Sequence, residues 1–259
     1  MNDQTDPLKN ESCSVIILAA GLGKRMQSDK AKVLHEIMGR PMILYVVETA
    51  RRSVGGNIIV VVGHQAEKVK AVISDKETVA FAFQEKQLGT GHAVLCALPL
   101  LSEKTENIVI LCGDVPLLSY ETVRLLISEH LRAGRDLTVL AVNVEVPTGY
   151  GRIIFDNNMN LLKIIEEADA SDDQKAVKTI NSGIYCVKRS FLCEALQKIN
   201  MNNAQGELYL TDIIEVGSTE GRVLGVMIGS RVEETIGVNS REDLDKAEAL
   251  MRCKRLETS

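Results

Sequence analysis

Three short runs in the first half of the chain are almost wholly apolar and each is closed by a glycine: Ser14–Ala20, Asn57–Val62 and Asn107–Cys112. A β-branched run of this length, ended by glycine and followed by a helical pattern, reads as a parallel strand buried on both faces. Val79–Phe83 adds a fourth strand of the same kind, and amphipathic patterns follow through Pro41–Val54, as far as Ile73, over Ala93–Leu101 and over Tyr120–Leu131. Pro41 stands where a first-turn proline is tolerated. Strands alternating with helices in this way give a doubly wound, Rossmann-like α/β fold with a mostly parallel central sheet. In such sheets ligands bind beyond the carboxyl ends of the strands, so the loops there carry the functional argument.

Three loops fall at that edge. Residues 21–40 open with Gly21-Leu22-Gly23 and then carry Lys24, Arg25, Lys30 and Lys32. Glycines allow backbone N–H groups to approach an anion, and the cations add full charge, so the loop suits phosphate. It is not a dinucleotide fingerprint, because the third glycine position holds Met26 and no acidic residue closes the next strand. Nor is it a Walker loop, since Gly23-Lys24 is followed by Arg25. The second loop, Gln84 to His92, supplies an amide and a hydroxyl (Thr90) beside Gly89, a set suited to a base edge. The third places Asp114 behind Gly113 and ahead of Val115-Pro116. A carboxylate there suits Mg²⁺, which takes one or two protein oxygens plus substrate phosphates. Its bland alternative is a helix N-cap, and for Asn239, in Gly237-Val238-Asn239, a turn or cap is the plainer reading. Arg25 and Lys32 are read as neutralising a polyphosphate, against the alternative of a solvated basic loop.

From Asp136 the texture becomes mixed. Strands are expected over Leu137–Val144, Gly151–Phe155, Leu161–Ile165 and Thr179–Val187, with helices near Phe191–Lys198 and Leu208–Glu215. A last helix, Arg241–Leu256, sets Leu244, Ala247 and Met251 on one face. The expected organisation is a polar, disordered tail over 1–13 and one unit over 14–256. That unit divides into a nucleotide-binding half (14–135), a sugar-binding half (136–240) and the C-terminal helix (241–256).

The net charge of −5 leaves no electrostatic footprint for nucleic acid, and 3% aromatic residues with no Trp leave no stacking platform. No apolar run is long enough to span a membrane, and the N-terminus lacks a signal-peptide core. Six scattered cysteines without a C-x-x-C pair read as buried free thiols in a reducing cytoplasm. The four histidines, His35, His64, His92 and His130, show no ligand-like spacing and are read as ordinary surface or core residues.

Leu18-Ala19-Ala20-Gly21-Leu22-Gly23-Lys24-Arg25-Met26 followed by Lys32 resembles the signature of sugar-1-phosphate nucleotidyltransferases. Gln84 with Gln87–Ala93, Gly113–Leu117, Tyr150–Ile153, Ile165-Glu166, Ile180–Tyr185, Asn202–Asp212 and Gly237–Asn239 narrow it. Together they resemble the uridylyltransferase half of the bifunctional bacterial enzymes that make UDP-N-acetylglucosamine, over about residues 14–256. The resemblance implies UTP and N-acetylglucosamine 1-phosphate as substrates, Mg²⁺ as cofactor, and a product that feeds peptidoglycan and lipopolysaccharide. By position it implies that Leu18, Ala20, Gly21 and Gly23 line the nucleotide while Gln84, Gly89 and Thr90 read uracil. Arg25 and Lys32 would contact phosphates, Asp114 and Asn239 would hold the metal, and Gly151, Glu166, Asn181, Tyr209, Thr211 and again Asn239 would bind the sugar substrate. Related transferases of other sugar or base specificity, and a non-catalytic nucleotide-sugar sensor, are the competing readings. Lys24 replaces a common Thr or Ser, and Cys112 stands where some members carry an aromatic residue. Those enzymes continue into a β-helix that transfers acetyl groups and builds a trimer. Because the sequence stops at Ser259, neither is expected, and a monomer or small homo-oligomer is.

Overall fold

A computed structural model describes residues 12–257. The expected N-terminal tail falls largely on residues 1–11, outside the described residues. Its last position, Cys13, is already part of the first strand and buried.

The chain runs β1 (Cys13–Ala19), β2 (Glu36–Ile37), β3 (Arg40–Pro41), α1 (Met42–Val54), β4 (Ile58–Val62), α2 (Ala66–Ser74), β5 (Ala80–Phe83), α3 (Thr90–Ala97), β6 (Asn107–Cys112), α4 (Tyr120–Arg132) and β7 (Leu137–Asn143). It continues through β8 (Arg152–Phe155), β9 (Leu161–Ile165), α5 (Asp172–Lys175), β10 (Thr179–Lys188), α6 (Arg189–Ala195), α7 (Asp212–Thr219), β11 (Leu224–Ile228) and α8 (Arg241–Glu257). The described residues form one sheet of nine strands along β11-β7-β10-β6-β1-β4-β5, with the β8–β9 hairpin attached to β10, and a separate β2–β3 ribbon. β1 pairs in parallel with β4 and β6, β4 with β5, and β7 with β11; β10 runs antiparallel to β6, β7 and β8. The mostly parallel α/β sheet read from the sequence is therefore the fold.

Alternate residues of each strand feed opposite faces. Val15, Ile17, Val60, Val62, Val109 and Leu111 pack with Val46, Val69 and Leu126 of α1, α2 and α4. Ile16, Ile59, Val61, Ile108 and Ile110 pack with Val94, Leu192 and Ile213 of α3, α6 and α7. Burial on both faces is why these strands read as unbroken apolar runs. A third cluster, Ile37, Met42, Leu117, Val238 and Ala247 with Leu244 and Met251 against it, seats α8 beside the β2–β3 ribbon.

Four local expectations change. Pro41 is not in the first turn of α1: it is extended (φ −51°, ψ 132°) and pairs with Glu36, so the helix starts at Met42. α3 starts at Thr90, not Ala93, because the loop ends at Gly89, whose φ of +107° suits glycine. α7 starts at Asp212, not Leu208, because the Leu208 carbonyl accepts from Gly91 N–H instead of from a residue four ahead in a helix. β11 was not foreseen; it adds to the sheet beyond β7. The cysteines are all free thiols, as read, but Cys253 is exposed rather than buried. Among the described residues no helix is long and apolar enough to cross a membrane.

Candidate active site

The parallel pairing of β1, β4, β5 and β6 brings their carboxyl ends to one edge, and a cleft of about 730 Å³ opens there. Leu18, Ala20, Gly21, Gly23, Arg25, Lys32, Gln84, Gly89, Thr90, Asp114 and Asn239 all line it. Residues up to 221 positions apart in sequence thus share one wall. Arg25 lies exposed in a single 3₁₀ turn, Lys24–Met26, anchored by the fully buried Met26.

At one end of the cleft the Lys32 ammonium donates to Asp114 Oδ2 and, over 3.0 Å, to Asn239 Oδ1. Both ionic partners keep 17% exposure, so the pair is sheltered yet open to the cleft. Gly23 supports this arrangement: its φ is +65°, and a Cβ there would lie 2.6 Å from Lys32 Cβ. The backbone ties the two oxygen donors together, since Val238 N–H donates to the Asp114 carbonyl at 2.8 Å. Neither donor is a helix cap. Ser119 caps α4, and at the start of α8 the Ser240 hydroxyl accepts from Asp243 N–H. Asp114 Oδ2 and Asn239 Oδ1 therefore converge on one cation, and such a carboxylate–amide pair with open sides fits Mg²⁺ that completes its shell with ligand phosphates.

At the opposite wall the Gln84–Thr90 loop docks on the segment before α7. Leu208 N–H donates to the Leu88 carbonyl at 2.8 Å, and Gly91 N–H to the Leu208 carbonyl at 2.8 Å. A Cβ on Gly89 would lie 2.5 Å from the Leu208 carbonyl oxygen, so this approach requires glycine. Gln84 is 3% exposed and Thr90 Oγ1 accepts from Leu210 N–H at 2.9 Å.

The remaining predicted residues gather next to the cleft rather than on its wall. A Cβ on Gly151 would touch Glu166 Oε2 (3.4 Å) and Asn181 Cβ (3.6 Å), and the Thr211 hydroxyl donates to Glu166 Oε1 at 3.1 Å. Asn181 Nδ2 donates to Tyr185 Oη at 2.7 Å while its Oδ1 accepts from Gly183 N–H at 2.9 Å. Glu166 and Tyr209 line a second hollow of about 580 Å³, together with Asp169, Asp212 and Glu215. The Tyr209 hydroxyl is buried there beside the Asp169 carboxylate, and burial, then Asp169, hold its pKa above the usual tyrosine range. Burial raises the Glu166 carboxyl, more than the Thr211 hydrogen bond lowers it. Burial also lifts Asp212 to about 6, helped by Glu215, Glu166 and Asp169. Cys112 joins the two regions, lining the cleft and donating to the Gly183 carbonyl at 3.4 Å. Its thiol is pushed up to about 12 by burial and then by Asp114, so it stays protonated and is no nucleophile.

Two buried charges behind the site were given no role by sequence reasoning, Arg152 being seen only inside the Tyr150–Ile153 segment and Glu234 not at all. Arg152, 1% exposed, donates to Glu167 Oε2 (2.7 Å) and to the Tyr150 and Lys175 carbonyls, bracing the strand beside Gly151. Glu234, also 1% exposed, accepts from the Ser119 and Thr122 hydroxyls at 2.8 and 2.6 Å. Gln205 and Glu207, on the cleft wall, were visible only as part of a longer motif.

A glycine-and-cation loop at the carboxyl edge of a parallel sheet, with a carboxylate and an amide meeting opposite it, defines a nucleotide-handling transferase site. Residues 15–184 match the MobA-like NTP transferase domain, and the chain belongs to that family. Among its relatives, it is 48% identical over 237 residues to the "Bifunctional protein GlmU" of Caldanaerobacter subterraneus subsp. tengcongensis, covering 92% of this chain and 51% of that protein. With the protein of the same name from Desulfotalea psychrophila it shares 42% identity over 247 residues, 95% of this chain and 73% of that one. The chain spans about half the length of most of these relatives. A crystal structure of a putative glucose-1-phosphate thymidylyltransferase from Bacillus anthracis, in complex with a sucrose, has the same fold. It superposes with a TM-score of 0.73 at 21% identity, covering 93% of this chain and 95% of that one.

Proposed function

We propose that this protein transfers the UMP group of UTP to N-acetylglucosamine 1-phosphate, giving UDP-N-acetylglucosamine, a precursor of cell-wall polymers, and pyrophosphate. The observation that carries the reading is the convergence of Lys32, Asp114 and Asn239 at one end of a cleft whose other wall is the Gln84–Thr90 loop. The similarity to bifunctional GlmU proteins over 92–95% of the chain supports it.

The chemistry asks little of the protein beyond alignment and charge. A sugar-phosphate oxygen is already anionic; it attacks the α-phosphorus, the bond between that phosphorus and the α–β bridging oxygen breaks, and pyrophosphate departs with the electron pair. No base is needed, which agrees with a cleft whose thiol is held protonated and whose lining residues include no histidine. Arg25 and Lys32 neutralise the phosphates as charge moves onto the leaving group. Asp114 and Asn239 would hold Mg²⁺, which when bound offsets negative charge on the phosphate oxygens of both substrates. Leu18, Ala20, Gly21 and Gly23 form the floor under the nucleotide, and Gln84, Gly89 and Thr90 face the base. Gly151, Glu166, Asn181, Tyr209 and Thr211 bind the sugar. Fixing both substrates in line removes much of the entropic barrier. The reaction belongs in the cytoplasm, where free thiols such as these persist.

The test is pyrophosphate release with Mg²⁺ over a grid of nucleoside triphosphates and sugar 1-phosphates. UTP with N-acetylglucosamine 1-phosphate is expected to give the highest kcat/KM. Clear preference for glucose 1-phosphate or glucosamine 1-phosphate overturns the assignment.

A further inference from the structure

The two ends of a glutamine amide do opposite chemistry: the nitrogen only donates and the oxygen only accepts. Gln84 stands on the cleft wall with its side chain held from behind. Its Nε2 lies 3.1 Å from the Gly89 carbonyl oxygen and 3.1 Å from His92 Nδ1. A carbonyl cannot donate, so the nitrogen end belongs beside Gly89. The second N–H is then directed at His92 Nδ1, which must offer its lone pair. The ring proton accordingly sits on His92 Nε2, on the side of Cys96 Sγ, 3.9 Å away. Among the described residues no hydrogen bond reaches Gln84 Oε1. With both donors consumed internally, the amide keeps an acceptor, and no donor, for a ligand.

From this geometry we infer that His92 is a positioning residue for base selection: by holding the Gln84 amide it makes the cleft choose a pyrimidine that presents a ring N–H. The inference deepens the uridylyltransferase reading and rests on it. Uracil carries a donor at N3 and satisfies Oε1. Cytosine carries a lone pair at N3, which would face the oxygen lone pairs and leave a buried acceptor unmet. A site built around one hydrogen-bonding group discriminates well, because the wrong ligand strands a polar group away from water. The Gly89 carbonyl holds only one of the two N–H groups; without His92 the amide loses one of its two anchors against a flip that would present Nε2 to the cleft and meet cytosine. His92 is positioned for this by α3, which starts at Thr90 and places the imidazole back over the loop it follows.

The test compares kcat/KM for UTP and CTP, with N-acetylglucosamine 1-phosphate and Mg²⁺, in the wild-type protein, His92→Leu and His92→Asn. The Asn side chain can set its Oδ1 where the imidazole sets Nδ1, one bond from Cγ, so it keeps the acceptor. His92→Leu is expected to narrow the UTP:CTP ratio by about tenfold or more, and His92→Asn to bring it back to within about threefold of wild type. A general packing role for His92 would lower both rates together and leave the ratio alone; that result in folded His92→Leu overturns the inference. So does a folded His92→Asn whose ratio stays as narrow as that of His92→Leu. If His92→Leu fails to fold, the ratio in His92→Asn against His92→Gln, whose longer side chain shifts the acceptor, decides in the same way. Wild-type protein that turns over no pyrimidine nucleotide removes the uridylyltransferase reading first, and this inference falls with it.

Discussion

Replacing Glu234 is expected to damage stability and metal use together. The carboxylate is 1% exposed and sits in the 3₁₀ turn Val232–Thr235, five residues before Asn239. Its Oε2 accepts from the Ser119 hydroxyl (2.8 Å), the Thr122 hydroxyl (2.6 Å) and, more distantly, Ser119 N–H (3.4 Å). Ser119 lies five residues after Asp114, so Glu234 clamps the two segments that carry the candidate metal donors. Hydrogen bonds to a buried charge contribute about 1.5–3 kcal/mol each, which makes the two short ones worth about 3–6 kcal/mol. In Glu234→Ala the two hydroxyls, 3.0 Å apart, can pair with each other and recover about 1 kcal/mol. A net loss of about 2–5 kcal/mol is therefore expected, read as a lower urea midpoint at unchanged m. The ion pair with the exposed Arg231 adds nothing to this figure. In the surviving folded fraction the Mg²⁺ concentration for half-maximal pyrophosphate release should rise, with the KM for sugar phosphate nearly unmoved. A loss below about 1 kcal/mol refutes the energetic argument, and an unchanged Mg²⁺ requirement refutes the coupling.

Three further outcomes are expected. His130 is 1% exposed between Thr138 Oγ1 (3.0 Å) and Asn107 Oδ1 (3.3 Å), and burial, then Lys188 and Arg135, lower its pKa from 6.5 to about 4. The unfolded chain protonates first, so stability is full above pH 6.5 and falls by at most about 3 kcal/mol as pH drops to 4; denaturation at several pH values should show this slope, and His130→Gln should flatten it. Gly89→Ala forces a Cβ to 2.5 Å from the Leu208 carbonyl at a φ of +107°, so it should destabilise by about 2–4 kcal/mol and raise the KM for UTP, measured by melting and steady-state kinetics. Lys32→Met removes the cation between Asp114 and Asn239 and should lower kcat by about a hundredfold or more, while circular dichroism reports an unchanged fold.

How much was legible in advance follows from what each residue does. β1, β4 and β6 were plain because a strand buried on both faces has few polar positions to confuse its pattern, Ser14 and Asn107 standing only near the strand starts, and the glycines after them marked the ligand edge. β11 was missed: Leu224–Ile228 lies at the sheet's margin, with Gly225 inside it and only Gly225 itself buried. The start of α7 was misread because Leu208 to Leu210 have a helical apolar pattern, yet their backbone is taken by a loop about 120 residues earlier. Asp114 and Lys32 were recognisable as charges at that edge, but their contact spans 82 positions and no local pattern reports it. The burial of Arg152, seen only inside the Tyr150–Ile153 segment, and of Glu234 was hidden for another reason. A charged residue in a sequence is presumed wet, and only the fold reveals the hydroxyls and carbonyls that let these two be buried. The His92–Gln84 pair lies eight positions apart, too near for a long-range contact to be suspected and across the turn that hides it.

Pyrophosphate release by Asp114→Ala, from UTP and N-acetylglucosamine 1-phosphate across a Mg²⁺ titration, tests the central claim most directly. The account predicts a folded protein, matched to wild type by circular dichroism, whose Mg²⁺-dependent release is lost. A folded Asp114→Ala protein that turns over at the wild-type rate with the wild-type Mg²⁺ dependence would contradict it.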